Sequence, residues 1–166
     1  NTVDYLSKKG WYMDLLKPSA TTSDGERVVS FPLFRNGNLI FITLTPIPPI
    51  GTEICGAGSE GTSWLMEMDA FTGSRLEDTA GGAPWDINGD GVIDAKDLLF
   101  IGGKYTAPSG RQSTVGSAGT PAIVTDGGRI IIITSGSKEG NKEHIKGKDR
   151  TGSSPGSRQS WRQLLP

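Results

Sequence analysis

The sequence predicts a mainly antiparallel β fold with very little helix. Three observations carry that expectation. Glycine and proline number 24 and 10 among 166 residues, and only 34% of the chain is hydrophobic. That mix suits short strands joined by many turns better than a helical bundle. β-Branched and aromatic residues gather in short runs, and Asn-Gly, Asp-Gly and Gly-Gly turn signals punctuate them. The length fits a single domain, residues 1–166.

Taken in order, residues 10–15 alternate aromatic and polar side chains and read as a strand. Residues 27–31 follow the turn signal Asp24-Gly25, and residues 38–45 form a strong β run after Asn36-Gly37. Residues 27–45 therefore read as a hairpin whose first arm is interrupted by Pro32. Residues 63–69 predict another strand, ending in a turn through Gly73. Residues 120–125 and 129–134, separated by Asp126-Gly127-Gly128, predict a second hairpin. Two hairpins and a strand–turn of similar spacing suggest repeated antiparallel units of the kind that build propeller blades. Helix is expected only over residues 95–101 and in a turn near the N-terminus. Residues 135–157, rich in Ser, Gly, Lys and Arg, are expected as a polar, mobile loop. Residues 158–166 regain Trp161 and Leu164 and are expected to dock as a closing strand.

One segment carries chemistry. Residues 86–97 read Asp-Ile-Asn-Gly-Asp-Gly-Val-Ile-Asp-Ala-Lys-Asp. Asp86, Asn88, Asp90, Asp94 and Asp97 occupy positions 1, 3, 5, 9 and 12 of an EF-hand-type calcium loop. Gly91 falls at position 6, where the chain must turn sharply. Val92 falls at position 7, where only a backbone carbonyl is required. Carboxylates and an amide form a hard, oxygen-only donor set. Such a set suits Ca²⁺ better than Mg²⁺, which keeps its waters, or Zn²⁺, which prefers nitrogen and sulfur. The carboxylates would repel one another without a cation, so a metal is expected to order the loop. Position 12 is Asp97 rather than Glu, one methylene shorter. Residues 78–85 hold two glycines and a proline and cannot form an entering helix. The pattern thus predicts a loop with a short exit helix, not the paired helices of a sensor, which open a groove on binding. A structural or slowly regulated site is expected.

Composition narrows the function classes. The net charge is −1, which gives no global attraction to nucleic acid or anionic membrane. No run of about 18 apolar residues exists, so no membrane-spanning helix is expected. The chain opens at Asn1-Thr2-Val3-Asp4 without a signal-peptide pattern, as the interior of a longer protein or a processed fragment would. Cys55 is the sole cysteine, which excludes an internal disulfide framework and a cysteine-based zinc site. It reads either as a free thiol or as a partner for a cysteine elsewhere. His144 lies in a Lys-rich stretch and reads as a solvated loop residue. No nucleophile–base constellation stands out, so no enzymatic activity is expected. No Arg-Gly-Asp tripeptide occurs.

Several strings together resemble one family. They are residues 10–15, residues 25–29, residues 38–43 with Pro46 and Cys55 beyond, residues 61–73, the calcium loop, and residues 158–162. In this order they are similar to the C-terminal β-propeller domain of the PilC/PilY group of type IV pilus tip and biogenesis factors. The resemblance implies a secreted Gram-negative protein, reaching the pilus tip and outer membrane through the periplasm. It implies roles in pilus assembly, retraction control, twitching motility and adhesion. The partners implied are minor pilins at the tip, the rest of the same adhesin, and a host or abiotic surface. It also implies Ca²⁺ held by Asp86, Asn88, Asp90, the Val92 carbonyl and Asp94, with calcium-bound protein opposing retraction. Asp97 is added from the EF-hand pattern. Blades take ~40–50 residues each, so a partial propeller of about three blades is expected. Two other readings compete. Residues 88–99 resemble half of a dockerin, a calcium-dependent protein-binding module that pairs two such repeats. Residues 68–73 are similar to the repeat turns of quinoprotein propeller enzymes.

Overall fold

The computed structural model describes residues 3–16, 21–47, 61–76, 83–126, 129–137 and 142–148. These residues form β1 (Arg27–Val28), β2 (Leu33–Arg35), β3 (Asn38–Thr45), β4 (Thr62–Asp69), β5 (Leu99–Ile101), β6 (Lys104–Thr106), β7 (Gly110–Gln112), β8 (Ala122–Asp126), β9 (Arg129–Ser135) and β10 (Lys142–Lys148). A single 3₁₀ turn, Ala95–Asp97, precedes β5. The fold is mainly antiparallel β, as expected.

The largest sheet is built on β3 and β4, which pair along their whole length from Asn38↔Asp69 to Thr45↔Thr62. β2 turns into β3 through Asn36 and Gly37, at φ 52° and 82°. Left-handed φ at both central residues is what a type I′ hairpin turn requires. β1 pairs farther along the same edge, with Arg27 opposite Leu44 and Val28 opposite Thr43. The expected first arm is therefore split into two strands around Pro32. β7 pairs with the other edge of β4. The second expected hairpin forms as β8 and β9, and β10 adds to the far edge of β9.

Period-two alternation places the core between these two sheets. Ile40 and Ile42 of β3 and Leu65 of β4 cluster with Ile130 and Ile132 of β9 and Ile145 of β10. Trp85, Val115 and Ala118 complete the cluster. Each fully buried aliphatic side chain contributes ~1.5–3 kcal/mol. The residues of opposite parity on β3, Leu39 and Phe41, join an apolar cavity of about 190 Å³ with Trp11, Met13, Leu15, Val28 and Pro32. Residues 10–15 thus contribute apolar side chains but form no strand. The Trp11 indole donates to the Ala70 carbonyl at 2.9 Å.

Two further expectations are corrected. Residues 95–101 are not a helix. Helical turn ends at Leu98, whose φ and ψ are −88° and 143°, and residues 99–101 become β5. The cause lies in Gly102 and Gly103, at φ 59° and 81°, which close a two-residue turn and pair β5 with β6. Within residues 135–157, residues 142–148 form β10 rather than loop. There Ile145 turns into the core, Gly147 is buried and His144 is exposed. The sheets have five, three and two strands, and no closed ring of blades forms among the described residues. Cys55, the turn at 127–128 and the expected closing strand at 158–166 lie outside the described residues.

Candidate calcium loop and its anchorage

The loop begins at a buried anchor. Trp85 is fully buried and forms an isolated antiparallel bridge with Gly147. Its indole N–H donates to Glu67 Oε2 at 2.7 Å, and Asn38 Nδ2 donates to Glu67 Oε1 at 2.8 Å. Glu67 shares its face of β4 with Leu65 and Ser63, so it points into the core, and all three are buried. A buried polar group is tolerated only when it is hydrogen-bonded, and these two donors meet that requirement. One residue on, Arg111 of β7 donates from Nη1 to the Asp86 carbonyl at 3.1 Å.

From Asp86 onward the side chains fold the backbone. Asp86 Oδ1 accepts from the Gly89 amide at 2.6 Å, and Oδ2 accepts from the Gly91 amide at 2.9 Å. Asn88 Oδ1 accepts from the Asp90 amide, and Asp90 Oδ1 from the Val92 amide. These are Asx turns in series, a preference of Asp and Asn. Gly89 and Gly91 sit at φ 78° and 85°. Position 6 thus makes the sharp turn its glycine predicts.

The loop closes on Asp97. Its carboxylate is 1% exposed. Oδ1 accepts from the amides of Ile87 and Asn88 at 2.8 and 3.2 Å, and Oδ2 from that of Asp94 at 3.0 Å. Asp94 in turn caps the 3₁₀ turn, accepting from the Lys96 amide at 2.7 Å. Asp94 and Asp97 so form a reciprocal capping box.

The donors fit calcium in kind, being oxygens on a loop that turns at the required glycine. Their present contacts are to backbone amides. Among the described residues no three of His, Cys, Asp or Glu converge closely enough to hold a metal ion. A bound cation would supply the positive charge that offsets these carboxylates. Asp86, Asn88, Asp90, Asp94 and Asp97, the polar side chains singled out from the sequence, all take part in the hydrogen bonds of the loop. The sequence pattern missed Trp85, Glu67, Asn38 and Arg111, which fasten the loop to the sheets. Their signals were an aromatic directly before the first candidate ligand position and an acid at an apolar-face position of β4.

The chain is 30% identical over 127 residues to a type IV pilus biogenesis factor PilY1 homolog of Xylella fastidiosa (strain Temecula1), an alignment covering 75% of the chain. A second PilY1 homolog of the same organism is 30% identical over 128 residues, 70% of the chain. The chain is thus PilY1-like, similar in sequence to these type IV pilus biogenesis factors. The PilY1-like chain spans only 6% and 10% of the length of these curated relatives. No family model and no solved structure matches it. No described helix is long and apolar enough to cross a membrane.

Proposed function

We propose that this chain is the calcium-binding, non-enzymatic module of a type IV pilus biogenesis factor. The observation that supports this best is the filled loop at residues 86–97, lying in a chain similar to PilY1 homologs. Asp86, Asn88, Asp90, the Val92 carbonyl and Asp94 are the proposed ligands, and Asp97 is added at position 12. The module is part of a propeller-type domain. It acts at the cell surface and pilus tip, with tip pilins, the rest of the factor, and host or abiotic surfaces as its partners. Calcium there braces the module and governs pilus assembly, retraction, twitching and adhesion.

The test is to replace Asp94 with Ala in the whole factor in its own bacterium and score surface pili and twitching at low and high calcium. The reading expects calcium dependence in the parent and none in the variant. Equal calcium dependence in both strains would sink it.

A further inference from the structure

The loop joins two very different parts of the molecule. Its entry is fixed in the core through Trp85 and Asp86, by the bonds to Glu67 and Arg111. Its exit leads within one residue into the β5–β6 hairpin. Among the described residues those two strands pair only with each other. Every residue from 99 to 105 is exposed, including Leu99, Phe100, Ile101 and Tyr105. The Phe100 and Tyr105 rings lie 5.1 Å apart. An isolated two-stranded hairpin is marginal in water, so its orientation depends on what holds its ends. The far end is held where the Glu67 amide donates to the Ser109 carbonyl at 2.9 Å, just before β7. At the near end, the side chain that crosses from exit to entry is Asp97, bonding Ile87 and Asn88.

We propose that Asp97 is a latch that fixes the aromatic β5–β6 hairpin to the core, so that the state of the 86–97 loop sets how firmly the hairpin is presented. Asp97 is a positioning residue here. Its carboxylate grips the loop entry with one oxygen and the Asp94 amide with the other. A cation drawing Asp86, Asn88, Asp90 and Asp94 together would shorten the same span and stiffen the hairpin further. That second part rests on the calcium reading above; the latch does not.

The test is backbone ¹⁵N relaxation on the 166-residue chain, with and without calcium, beside calorimetric calcium titration. In wild type with calcium, amides of residues 99–106 should reach the rigid order parameter of ~0.85 shared by β3 and β4. In Asp97→Ala they should fall below ~0.6 with or without calcium, while β3, β4 and β9 stay unchanged. Asp90→Ala, which keeps the latch, should match metal-free wild type. Should Asp97→Ala fail to fold, Asp97→Asn carries the test, since it retains one oxygen acceptor and should loosen the hairpin part-way. Hairpin order unchanged in the folded Asp97 variant overturns the latch. Calcium binding with no change in hairpin order overturns the coupling and leaves the calcium reading intact. No calcium binding removes the cation control, and the metal-free comparison of wild type with the Asp97 variant then decides the latch alone.

Discussion

The Trp85 indole N–H meets the Glu67 carboxyl group at 2.7 Å inside the core, one residue before the first candidate calcium ligand. This bond ties the loop to the middle of β4. It adds a side-chain hold to the backbone bridge between Trp85 and Gly147. Trp85→Phe keeps most of the apolar volume and removes the donor. It should cost ~1–3 kcal/mol, the penalty for a buried polar atom that loses its partner. Guanidinium unfolding of the two proteins measures this, and a difference near zero would show that the bond carries no stability.

Asp90 is exposed, and its described hydrogen bonds stay inside the loop, with Asn88 and Val92. Asp90→Ala should therefore abolish calcium binding and leave the β fold in place. The metal-free variant should unfold within ~0.5 kcal/mol of wild type, as for other surface substitutions. Unfolding of the variant in calcium-free buffer, where wild type stays folded, would contradict this.

Gly73 sits at φ 64°, and an added Cβ would lie 2.4 Å from Trp11 Cδ2. Gly73→Ala thus meets both backbone strain, ~1–2 kcal/mol for a left-handed residue, and the face of the indole. Trp11 should be displaced from the sheet and residues 10–15 with it. Faster proteolysis within residues 3–16, with β3 and β4 still protected from hydrogen exchange, is the expected result.

Gly102 and Gly103 have nothing within 4 Å of an added Cβ, so only their positive φ restricts them. Gly103→Val should open the β5–β6 turn at ~1–2 kcal/mol of local strain and leave the main sheets unchanged. Loss of the Phe100–Tyr105 ring contact by nuclear Overhauser effect, without a shift in the global melt, would bear this out.

The same glycines show where the sequence was readable and where it was not. The hairpins at β2–β3 and β8–β9 were legible because turn signals and apolar runs agreed. At residues 98–103 they competed. Leu-Leu-Phe-Ile after a calcium loop suggests an exit helix, but Gly102-Gly103 offered a two-residue reversal only four residues past Leu98, and the reversal won. β10 was hidden because Lys142, Glu143, Lys146 and Lys148 mask the alternation of Ile145 and Gly147. The polar residues of the loop stood out in the sequence as a spaced pattern of Asp, Asn and Gly that matches an EF-hand-type loop. Their anchorage was not legible, since Glu67 meets Trp85 and Asn38 only once β3, β4 and the loop are brought together in space.

The central claim is tested most directly by calorimetric calcium titration of the chelator-stripped chain, run beside Asp94→Ala. The account predicts a single site in wild type and no binding heat in the variant. No heat from wild type, or the same heat from Asp94→Ala, would contradict it.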